Sequence, residues 1–357
     1  MNSISTKNSV VYFNSETYTE LNKYIQNQNP SKIFILVDTN THEYCLPQFL
    51  ERLESNNITV EVMEMPDGED HKTIDICNGV WEALSEYGAD RKSLMINLGG
   101  GVVTDLGGFV ASTYMRGIAY INIPTTLLAM VDASVGGKTG VDLGVLKNQV
   151  GIINEGEMVG IDTAFLNTLP QKEMISGFAE MLKHGLIFDK DYWHTLTHLE
   201  GMDFSELDRL IYESVAIKNK VVSEDPTEKG MRKILNFGHT LGHAIESYFL
   251  ENADKTPLLH GEAIAIGMIL EAYISTEISN LSEENLKIIT EGVLKTFLTT
   301  NITVNDQNII IRLLKHDKKN SHGIVKFVLL EDIGQPKIDC IVENDIIIKA
   351  FEYYSKL

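Results

Sequence analysis

Apolar and polar positions alternate differently in the two halves of the chain. In the first half, short apolar runs predict buried strands for KIFILVD (32–38), ITVEVMEM (58–65), SLMINLGG (93–100) and AYINIP (119–124). Helical spacing between them predicts helices for QFLERLE (48–54), TIDICNGVWEALSEYG (73–88) and residues 102–115. Strands and helices that alternate at this pace indicate an α/β domain with a Rossmann-like, mostly parallel sheet.

The pattern becomes mainly helical in the second half. Apolar residues at helical spacing predict helices for QKEMISGFAEMLKHGLIF (171–188), SELDRLIYESVAIKNKVV (205–222), RKILNFGHTLGHAIESYFL (232–250), GEAIAIGMILEAYISTEI (261–278) and ENDIIIKAFEYYSKL (343–357). A late hairpin is predicted for GIVKFVLLEDIGQPKIDCIV (323–342). Because 357 residues are many for one core, we expect two domains, an α/β domain over residues 1–168 and a mainly α-helical domain over residues 169–357.

Composition and charge exclude several classes of function. A net charge of -20 opposes a phosphate backbone, and no run of Lys and Arg is long enough to form a nucleic-acid-binding stripe, so we expect no nucleic-acid partner. The start MNSISTKNSV lacks a signal-peptide pattern, and the longest apolar run, AIAIGMIL, is too short to cross a bilayer, so we expect no membrane contact. Three widely spaced cysteines fit reduced thiols in the cytoplasm.

Two glycine-rich stretches are candidates for binding phosphate. LGGGVVTDLGG (98–108) follows a predicted strand and opens a helix, where backbone N–H groups hold anions. Thr104 replaces the third glycine of the usual dinucleotide pattern, so a tight turn with close helix–sheet packing explains the stretch equally well. DASVGGKTGVDLGVLKN (132–148) resembles a P-loop only loosely, because Asp132 stands where that motif requires glycine. ATP hydrolysis is therefore disfavoured.

Polar residues at the ends of two predicted strands could hold a ribose. Asp38 ends one strand, and Glu69 and Lys72 follow the next. In open α/β sheets such strand ends line the crevice in which ligands bind. Aspartate and glycine also favour turns, which is the simpler explanation for each residue alone.

A glutamate and three histidines in the second half are candidates for a metal site. His239 and His243 lie one helical turn apart and could chelate one ion directly. A wider set, Glu180, His239 and His260, could instead converge from three predicted helices. The third interpretation is that these histidines are hydrogen-bonded core residues. The spacing alone leaves all three open.

Several cations flank these motifs although the chain is acidic: Arg116, Lys138, Lys147, Lys183, Lys218, Arg232, Lys318 and Lys319. A solvated charged surface explains any one of them. Together they suit a small polyanionic substrate better than a neutral one.

Four segments together resemble a known family: GGGVVTDLGGFVASTYMRG (99–117), IPTTLLAMVDASVGGKTGVDLGVLKN (123–148), FAEMLKHG (178–185) and LNFGHTLGHAIE (235–246). In this order they closely resemble the 3-dehydroquinate synthase family of sugar-phosphate cyclases, over most of the chain. The resemblance implies a phosphorus–oxygen lyase of the shikimate pathway that converts 3-deoxy-D-arabino-heptulosonate 7-phosphate into 3-dehydroquinate and phosphate. That family proceeds by transient NAD-dependent oxidation, phosphate elimination, reduction, ring opening and intramolecular aldol closure.

The resemblance also implies cofactors, namely NAD and a divalent metal, zinc with cobalt as an alternative. Its metal ligands correspond to Glu180, His239 and His260, and its acid/base residue on the substrate side corresponds to His243. NAD binding is implied for Asp38, Asn40, Asp67, Gly68, Glu69, Asp70, His71, Lys72, Gly100, Gly101, Val102, Val103, Thr104, Asp105, Thr125, Thr126, Leu128, Lys138, Lys147, Phe165, Leu166, Asn167 and Thr168.

Contact with a small phosphorylated sugar acid is implied for Asp132, Lys138, Asn148, Lys183, Lys218, Arg232, Asn236 and one of Lys318 and Lys319. The family also implies a homodimer in which Arg116 reaches the neighbouring site.

Three other functions are the alternatives. Related cyclases such as 2-deoxy-scyllo-inosose and 2-epi-5-epi-valiolone synthases share the expected cofactors, but their substrates lack a carboxylate. Dehydroquinate synthesis is therefore favoured by the joint presence of Lys218, Arg232, Asn236 and His243. A metal-dependent alcohol or glycerol dehydrogenase would leave net NADH. A non-catalytic metal or nucleotide sensor would release no phosphate.

Overall fold

The computed structural model describes residues 2–144, 146–199, 204–314 and 325–357. The chain divides into two compact units, Met1–Met174 and Ile175–Leu357. The boundary between the units follows Met174, whereas the sequence pattern places it after Thr168. The sequence also predicts that the first domain binds NAD and that the second binds metal and substrate, and this assignment stays a prediction.

A mostly parallel sheet forms the centre of the first unit. The strands of this unit are β1 (Ile4–Ser5), β2 (Val10–Phe13), β3 (Ile33–Asp38), β4 (Val60–Met65), β5 (Leu94–Gly99), β6 (Ala119–Pro124), β7 (Lys138–Leu143), β8 (Leu146–Ile153) and β9 (Met158–Ile161). Among the described residues, seven strands form one sheet in the order β1-β2-β9-β6-β5-β3-β4, in which only β1 and β2 pair antiparallel. The four strands predicted from apolar runs are β3 to β6, so the mostly parallel sheet is confirmed.

Helices pack on this sheet through apolar residues. They are α1 (Ser15–Gln28), α2 (Thr39–Tyr44), α3 (Leu46–Arg52), α4 (Ile74–Glu86) and α5 (Gly101–Thr113). Leu84 of α4 and Leu106 of α5 belong to one buried cluster with Phe34 of β3. Burying apolar surface at about 25 cal/mol per Å² is the main term that holds such a layer in place.

Residues 132–148 do not join a strand to a helix as a P-loop does. Most of this run belongs to a separate hairpin in which β7 and β8 pair antiparallel, with Gly140 opposite Gly151. The sequence pattern missed this hairpin because its strands mix apolar and polar residues without a continuous apolar run. The loose resemblance to a P-loop therefore has no structural counterpart.

The second unit is mainly helical, as predicted. Its elements are α6 (Gln171–Phe188, which begins just before the boundary), α7 (Lys190–Thr197), α8 (Phe204–Glu224), α9 (His239–Glu251), α10 (His260–Ile278), α11 (Glu283–Leu294), α12 (Val304–Leu313), the hairpin strands β10 (Lys326–Asp332) and β11 (Gln335–Ile341), and α13 (Asn344–Tyr354). The predicted late hairpin is confirmed. Residues 263–272 of α10 are all buried, as expected of a core helix that is apolar on every side. No helix in the described ranges is long and apolar enough to span a bilayer.

The prediction of one helix over residues 232–250 is wrong. The chain forms a short 3-10 turn, Met231–Asn236, and α9 begins only at His239. Gly238 between them has a φ of 77°, in the left-handed region that interrupts a helix. Apolar spacing continues through this break, so periodicity could not detect it.

Candidate metal centre and nucleotide-binding edge

Three helices of the second unit bring a glutamate and two histidines together. Glu180 lies on α6, His239 begins α9 and His260 begins α10. Oε1 of Glu180 is 3.4 Å from Nε2 of His239 and 3.5 Å from Nε2 of His260. This oxygen is buried and has no hydrogen-bond partner within the described part of the chain. The wider of the two residue sets considered from the sequence is therefore assembled here.

These separations suit ligands around a single metal ion. Zinc binds nitrogen and oxygen at about 2.0–2.1 Å, and tetrahedral geometry then separates two ligand atoms by about 3.4 Å. The two distances measured from Glu180 match this value. A buried carboxylate oxygen without a hydrogen bond is otherwise unfavourable. The donor set therefore fits a divalent ion such as zinc.

Hydrogen bonds on the far side of the two imidazole rings leave Nε2 as the metal-binding atom of each. Nδ1 of His239 lies 3.1 Å from the carbonyl oxygen of Phe237, and Nδ1 of His260 lies 3.1 Å from Oε2 of Glu246. Because a carbonyl and a carboxylate only accept, each Nδ1 carries the proton and donates. The lone pair of each neutral ring is then on Nε2, the atom nearer Glu180.

His243 lies beside this group, one turn further along α9. Its ring centroid is 5.1 Å from that of His239 and 5.8 Å from that of His260. One ring nitrogen from each of the three histidines lies within 4.8 Å of the other two. These three nitrogens are also close enough to share one ion, so the structure permits chelation by His239 and His243 as well, and the acid/base role of His243 stays a prediction.

Charged neighbours control the protonation of Glu180 and His260. Nζ of Lys183, one turn along α6, donates a hydrogen bond to Oε2 of Glu180, and both side chains are buried. Burial acts to raise the pKa of Glu180, but Lys183 and His239 outweigh it and hold the pKa well below its ordinary value. Burial acts to lower the pKa of His260, but Glu246 and Glu180 raise it to about 10. A metal ion would compete with this proton for Nε2 of His260.

A glycine next to His260 lets α10 approach α6. A Cβ at Gly261 would lie 2.0 Å from the backbone oxygen of Ser176, one turn before Glu180. The N–H group of Gly261 donates to Oγ of Ser176 at 2.9 Å. This contact places the first turn of α10, and with it His260, against the helix that carries Glu180.

A buried glutamate anchors the start of α9. The carboxylate of Glu271 on α10 accepts the N–H of Gly238 at 2.7 Å and the N–H of Leu241 at 3.1 Å. An acidic group at a helix N-terminus satisfies N–H groups that have no partner within the helix. Sequence reasoning missed Glu271, whose only signal is a single charge inside an apolar helical pattern. It also gave no role to Glu246, although Glu246 lies on the same helix surface as His243.

Further cations predicted to bind substrate are buried in the second unit. Lys218 on α8 is 5% exposed and Arg232 is 2% exposed. Nη1 of Arg232 donates to the carbonyl oxygen of Pro226 at 2.9 Å, and Nδ2 of Asn236 donates to Oε1 of Glu228 at 2.9 Å. Buried cations are rare unless they are paired or bind an anion. The contact of Lys218 and Arg232 with an anionic substrate stays a prediction.

Many residues predicted to bind NAD lie at one edge of the sheet in the first unit. The parallel strands β3, β4, β5 and β6 end there at Asp38, Met65, Gly99 and Pro124. Ligands of open α/β sheets bind at this edge. Nδ2 of Asn40 in α2 donates to Oδ2 of Asp67 at 3.0 Å and links this helix to the loop after β4. Asp38 also caps α2 by accepting the N–H of Thr41 at 2.8 Å, which is the local turn role that the sequence had left open.

Lys72 lies at the centre of a polar network in the first unit. Its Nζ donates to Oδ2 of Asp105 and to Oδ1 of Asn148, each at 2.6 Å. Nζ of Lys147 donates to Oε1 of Glu69 at 3.0 Å. Burial acts to lower the pKa of Lys72, but Asp105 and Glu69 outweigh it and raise the pKa. The structure thus joins predicted NAD residues to Asn148, which was predicted to contact substrate.

The glycine-rich stretch 98–108 opens α5. Gly100 precedes the helix and has no side chain to cap its first N–H groups, which is the arrangement that binds phosphate. Oγ1 of Thr104 donates back to the carbonyl oxygen of Gly100 at 3.2 Å. Asp132, predicted to contact substrate, lies in a π-helical turn, Ala129–Ala133.

The other predicted NAD residues lie in short connections of the first unit, at the start of α5 or at the start of β7. They are Gly68, Asp70 and His71 after β4, Gly101, Val102 and Val103 in α5, Thr125, Thr126 and Leu128 after β6, Lys138 at the start of β7, and Phe165, Leu166, Asn167 and Thr168 in a 3-10 turn. Phe165 and Leu166 are buried. Lys318 and Lys319 lie outside the described residues.

Arg116 lies in an unusual turn after α5. Met115, Arg116 and Gly117 have φ angles of 49°, 70° and 115°. Left-handed backbone at a residue other than glycine costs about 1–3 kcal/mol and collects at functional sites. Met115 and Arg116 are also exposed, so this turn is available to contact another molecule.

Comparisons with known proteins agree over almost the whole chain. Residues 62–176 match the family model described as 3-dehydroquinate synthase N-terminal, and residues 177–320 match the model described as 3-dehydroquinate synthase C-terminal. The 3-dehydroquinate synthase of Parabacteroides distasonis is 41% identical over 338 residues, which cover 94% of this chain and 95% of that protein.

Solved structures show the same fold. A 2-deoxy-scyllo-inosose synthase, complexed with carbaglucose-6-phosphate, NAD+ and Co2+, superposes with a TM-score of 0.84 at 25% identity and covers 99% of this chain and 100% of its own. The 2-epi-5-epi-valiolone synthase of Streptomyces hygroscopicus subsp. jinggangensis has a TM-score of 0.85 at 23% identity, covers 100% and 99%, and supports the fold alone. The two family models together cover most of the chain, and the chain therefore belongs to the 3-dehydroquinate synthase family.

Proposed function

We propose that this chain converts 3-deoxy-D-arabino-heptulosonate 7-phosphate into 3-dehydroquinate and inorganic phosphate in the shikimate pathway. Family membership in both halves of the chain supports this activity. Within the structure, the observation that carries the proposal is the convergence of Oε1 of Glu180 with Nε2 of His239 and Nε2 of His260. This arrangement matches a catalytic metal site with three protein ligands and one position left for substrate.

NAD and a divalent metal, zinc with cobalt as an alternative, are the cofactors we propose. The similar 2-deoxy-scyllo-inosose synthase was solved with NAD+ and Co2+. When bound, NAD supplies a reversible hydride acceptor and the metal polarises substrate hydroxyl groups. Glu180, His239 and His260 would hold the metal. The strand-end residues of the first unit would hold NAD, with the uncapped start of α5 at its diphosphate.

The remaining side chains bind anionic groups and move protons. Lys218 and Arg232 are buried cations, and they suit the carboxylate and phosphate of a sugar acid. His243 would give or take a proton through a ring nitrogen next to the metal-binding atoms. Because helices position these groups in advance, a flexible reactant would be held in one geometry.

A phosphate-release assay tests the substrate. Purified protein with NAD and zinc is offered the heptulosonate, glucose 6-phosphate and sedoheptulose 7-phosphate in separate reactions. We expect phosphate from the heptulosonate alone, loss of this activity after a chelator removes the metal, and no net rise in NADH absorbance. Phosphate from glucose 6-phosphate would instead identify 2-deoxy-scyllo-inosose synthesis, and accumulating NADH would identify a dehydrogenase.

We also propose a homodimer in the cytoplasm, with Arg116 reaching the neighbouring site. The exposed left-handed turn at Met115 and Arg116 supports a contact of this kind. The three cysteines are all buried and free, which fits a reducing compartment.

A further inference from the structure

Glu246 is connected to the candidate metal centre through His260. It lies on α9, close to one turn after His243, and its Oε2 is 3.1 Å from Nδ1 of His260. The side chain of Glu246 is 12% exposed, so water competes little for this hydrogen bond. The bond spans two helices and ends on the ring nitrogen opposite the one that faces Glu180.

We propose that Glu246 is the positioning residue that fixes the metal-binding orientation of His260, an inference that rests on the metal centre proposed above. An imidazole can present either ring nitrogen, and the partner of one nitrogen decides which tautomer forms. The carboxylate of Glu246 keeps the proton on Nδ1 and holds the ring plane. It thereby leaves the lone pair of Nε2 on the side of the ring that faces Glu180. Nε2 of His260 is 3.5 Å from Oε1 of Glu180. The negative charge of Glu246 also makes the ring a stronger donor to the metal.

His260 needs such a partner more than His239 does. Nδ1 of His239 is held by the backbone carbonyl of Phe237, which no side-chain substitution removes. His260 instead is the first residue of α10 and follows an irregular stretch, and its side chain is 24% exposed. The partner of Nδ1 of His260 is therefore a side chain, Glu246, which a substitution can remove.

Zinc affinity measures this role directly. Zinc-loaded full-length protein is titrated with a chromophoric chelator for the parent, Glu246→Gln and Glu246→Ala. We expect zinc affinity to fall about 10–100-fold in Glu246→Ala. The zinc affinity of Glu246→Gln should lie between those of the parent and Glu246→Ala. Its amide oxygen still accepts a hydrogen bond from Nδ1 of His260, but the negative charge is lost. The Co2+-substituted proteins should show a matching change in their visible absorption bands.

Glu262→Gln is the matched control. Glu262 lies in the first turn of α10, and its carboxylate accepts the N–H of Leu259 at 2.7 Å. This variant weakens the start of the same helix without touching the ring of His260, so its melting temperature should fall while its zinc affinity stays near that of the parent.

Two results would overturn the inference. One is a zinc affinity in both Glu246 variants within about twofold of the parent, and the other is an equal loss in Glu262→Gln. If Glu246→Ala fails to fold, the zinc affinity of Glu246→Gln decides the test. Glutamine keeps the side-chain volume of glutamate and an oxygen that accepts a hydrogen bond. A parent protein that binds no zinc would instead overturn the metal centre of the proposed function.

Discussion

His239 and His243 lie one turn apart on α9 but relate differently to Glu180. Nε2 of His239 is 3.4 Å from Oε1 of Glu180, the spacing of two ligands on one ion. One ring nitrogen of His243 lies within 4.8 Å of a ring nitrogen of His239 and of a ring nitrogen of His260. We therefore propose His239 as a metal ligand and His243 as the residue that transfers protons, although the sequence spacing treats the two residues alike.

Substitution of each histidine separates these roles. His239→Ala should lose bound zinc and activity together, because it removes a metal ligand. His243→Ala should keep its zinc and lose about 100-fold or more in kcat, the usual contribution of a general acid or base. Metal analysis of the purified variants with a kcat measurement checks both. Full zinc occupancy in His239→Ala, or none in His243→Ala, would reverse the assignment.

At the scale of elements, the metal centre depends on how closely α10 approaches α6. Gly261→Ala would place a Cβ 2.0 Å from the backbone oxygen of Ser176. Because backbone cannot give way as a flexible side chain can, α10 should shift and carry His260 away from Glu180. We expect a loss of about 1–3 kcal/mol in stability and weaker zinc binding. Melting temperature and chelator titration measure the two effects.

Gly79→Ala is the control for this substitution. Gly79 lies inside α4, and a Cβ there would meet nothing within 4 Å. Alanine is the better helix former, so this variant should be about 0.5–1 kcal/mol more stable than the parent. Equal melting temperatures and equal zinc affinities in the two glycine variants would show that the close contact of α6 with α10 does not control the metal centre.

Another contact between elements predicts a dependence on pH. Asp306 on α12 accepts hydrogen bonds from Lys255 at 2.6 Å, from the N–H of Thr303 at 2.8 Å and from the hydroxyl of Tyr248 on α9. Burial acts to raise the pKa of Asp306, but these donors outweigh it and lower the pKa to about 2. Because the folded pKa lies below the unfolded value of about 3.9, the carboxylate stabilises the fold above pH ~4 and loses this effect as the pH falls towards 2.

Asp306→Asn should therefore lower the free energy of unfolding at pH 7 by about 2 kcal/mol. This loss should become smaller in acid. We expect the gap in melting temperature between parent and variant to be widest at neutral pH and to narrow as the pH falls below about 4. A gap that stays constant from pH 7 to pH 3 would contradict the charge-based explanation.

At the scale of the whole molecule, the proposed homodimer has a direct test in mixed subunits. Arg116→Ala and His243→Ala should each be nearly inactive alone. If Arg116 serves the neighbouring site, a mixed dimer contains one site with both residues intact. When equal amounts of the two variants exchange subunits at random, half of the dimers are mixed and each has one intact site. The mixture should then show about a quarter of the parent activity. Mixtures that stay inactive although subunits exchange, as measured by mass spectrometry of tagged chains, would place Arg116 in its own site.

Part of the architecture was predictable because it follows from local patterns. Periodicity detects the apolar runs of β3 to β6 and the helical spacing of α6, α8 and α10, because each pattern lies within a single continuous segment. The family was also recognisable, because its motifs are contiguous segments. The hairpin of β7 and β8 escaped prediction because its strands lack a continuous apolar run and are defined by their pairing.

The sequence by itself determined the mostly parallel sheet, the helical second half and the residues from which a metal centre could be built. Only the tertiary structure decided that Glu180, His239 and His260 converge, that the chain breaks at Gly238, and that Glu246 and Glu271 support the site. The physical reason is the range of the interactions. Periodicity and turn preference act along a few residues, whereas ligand spacing, a buried helix cap and the approach permitted by Gly261 exist only after helices distant in sequence have packed.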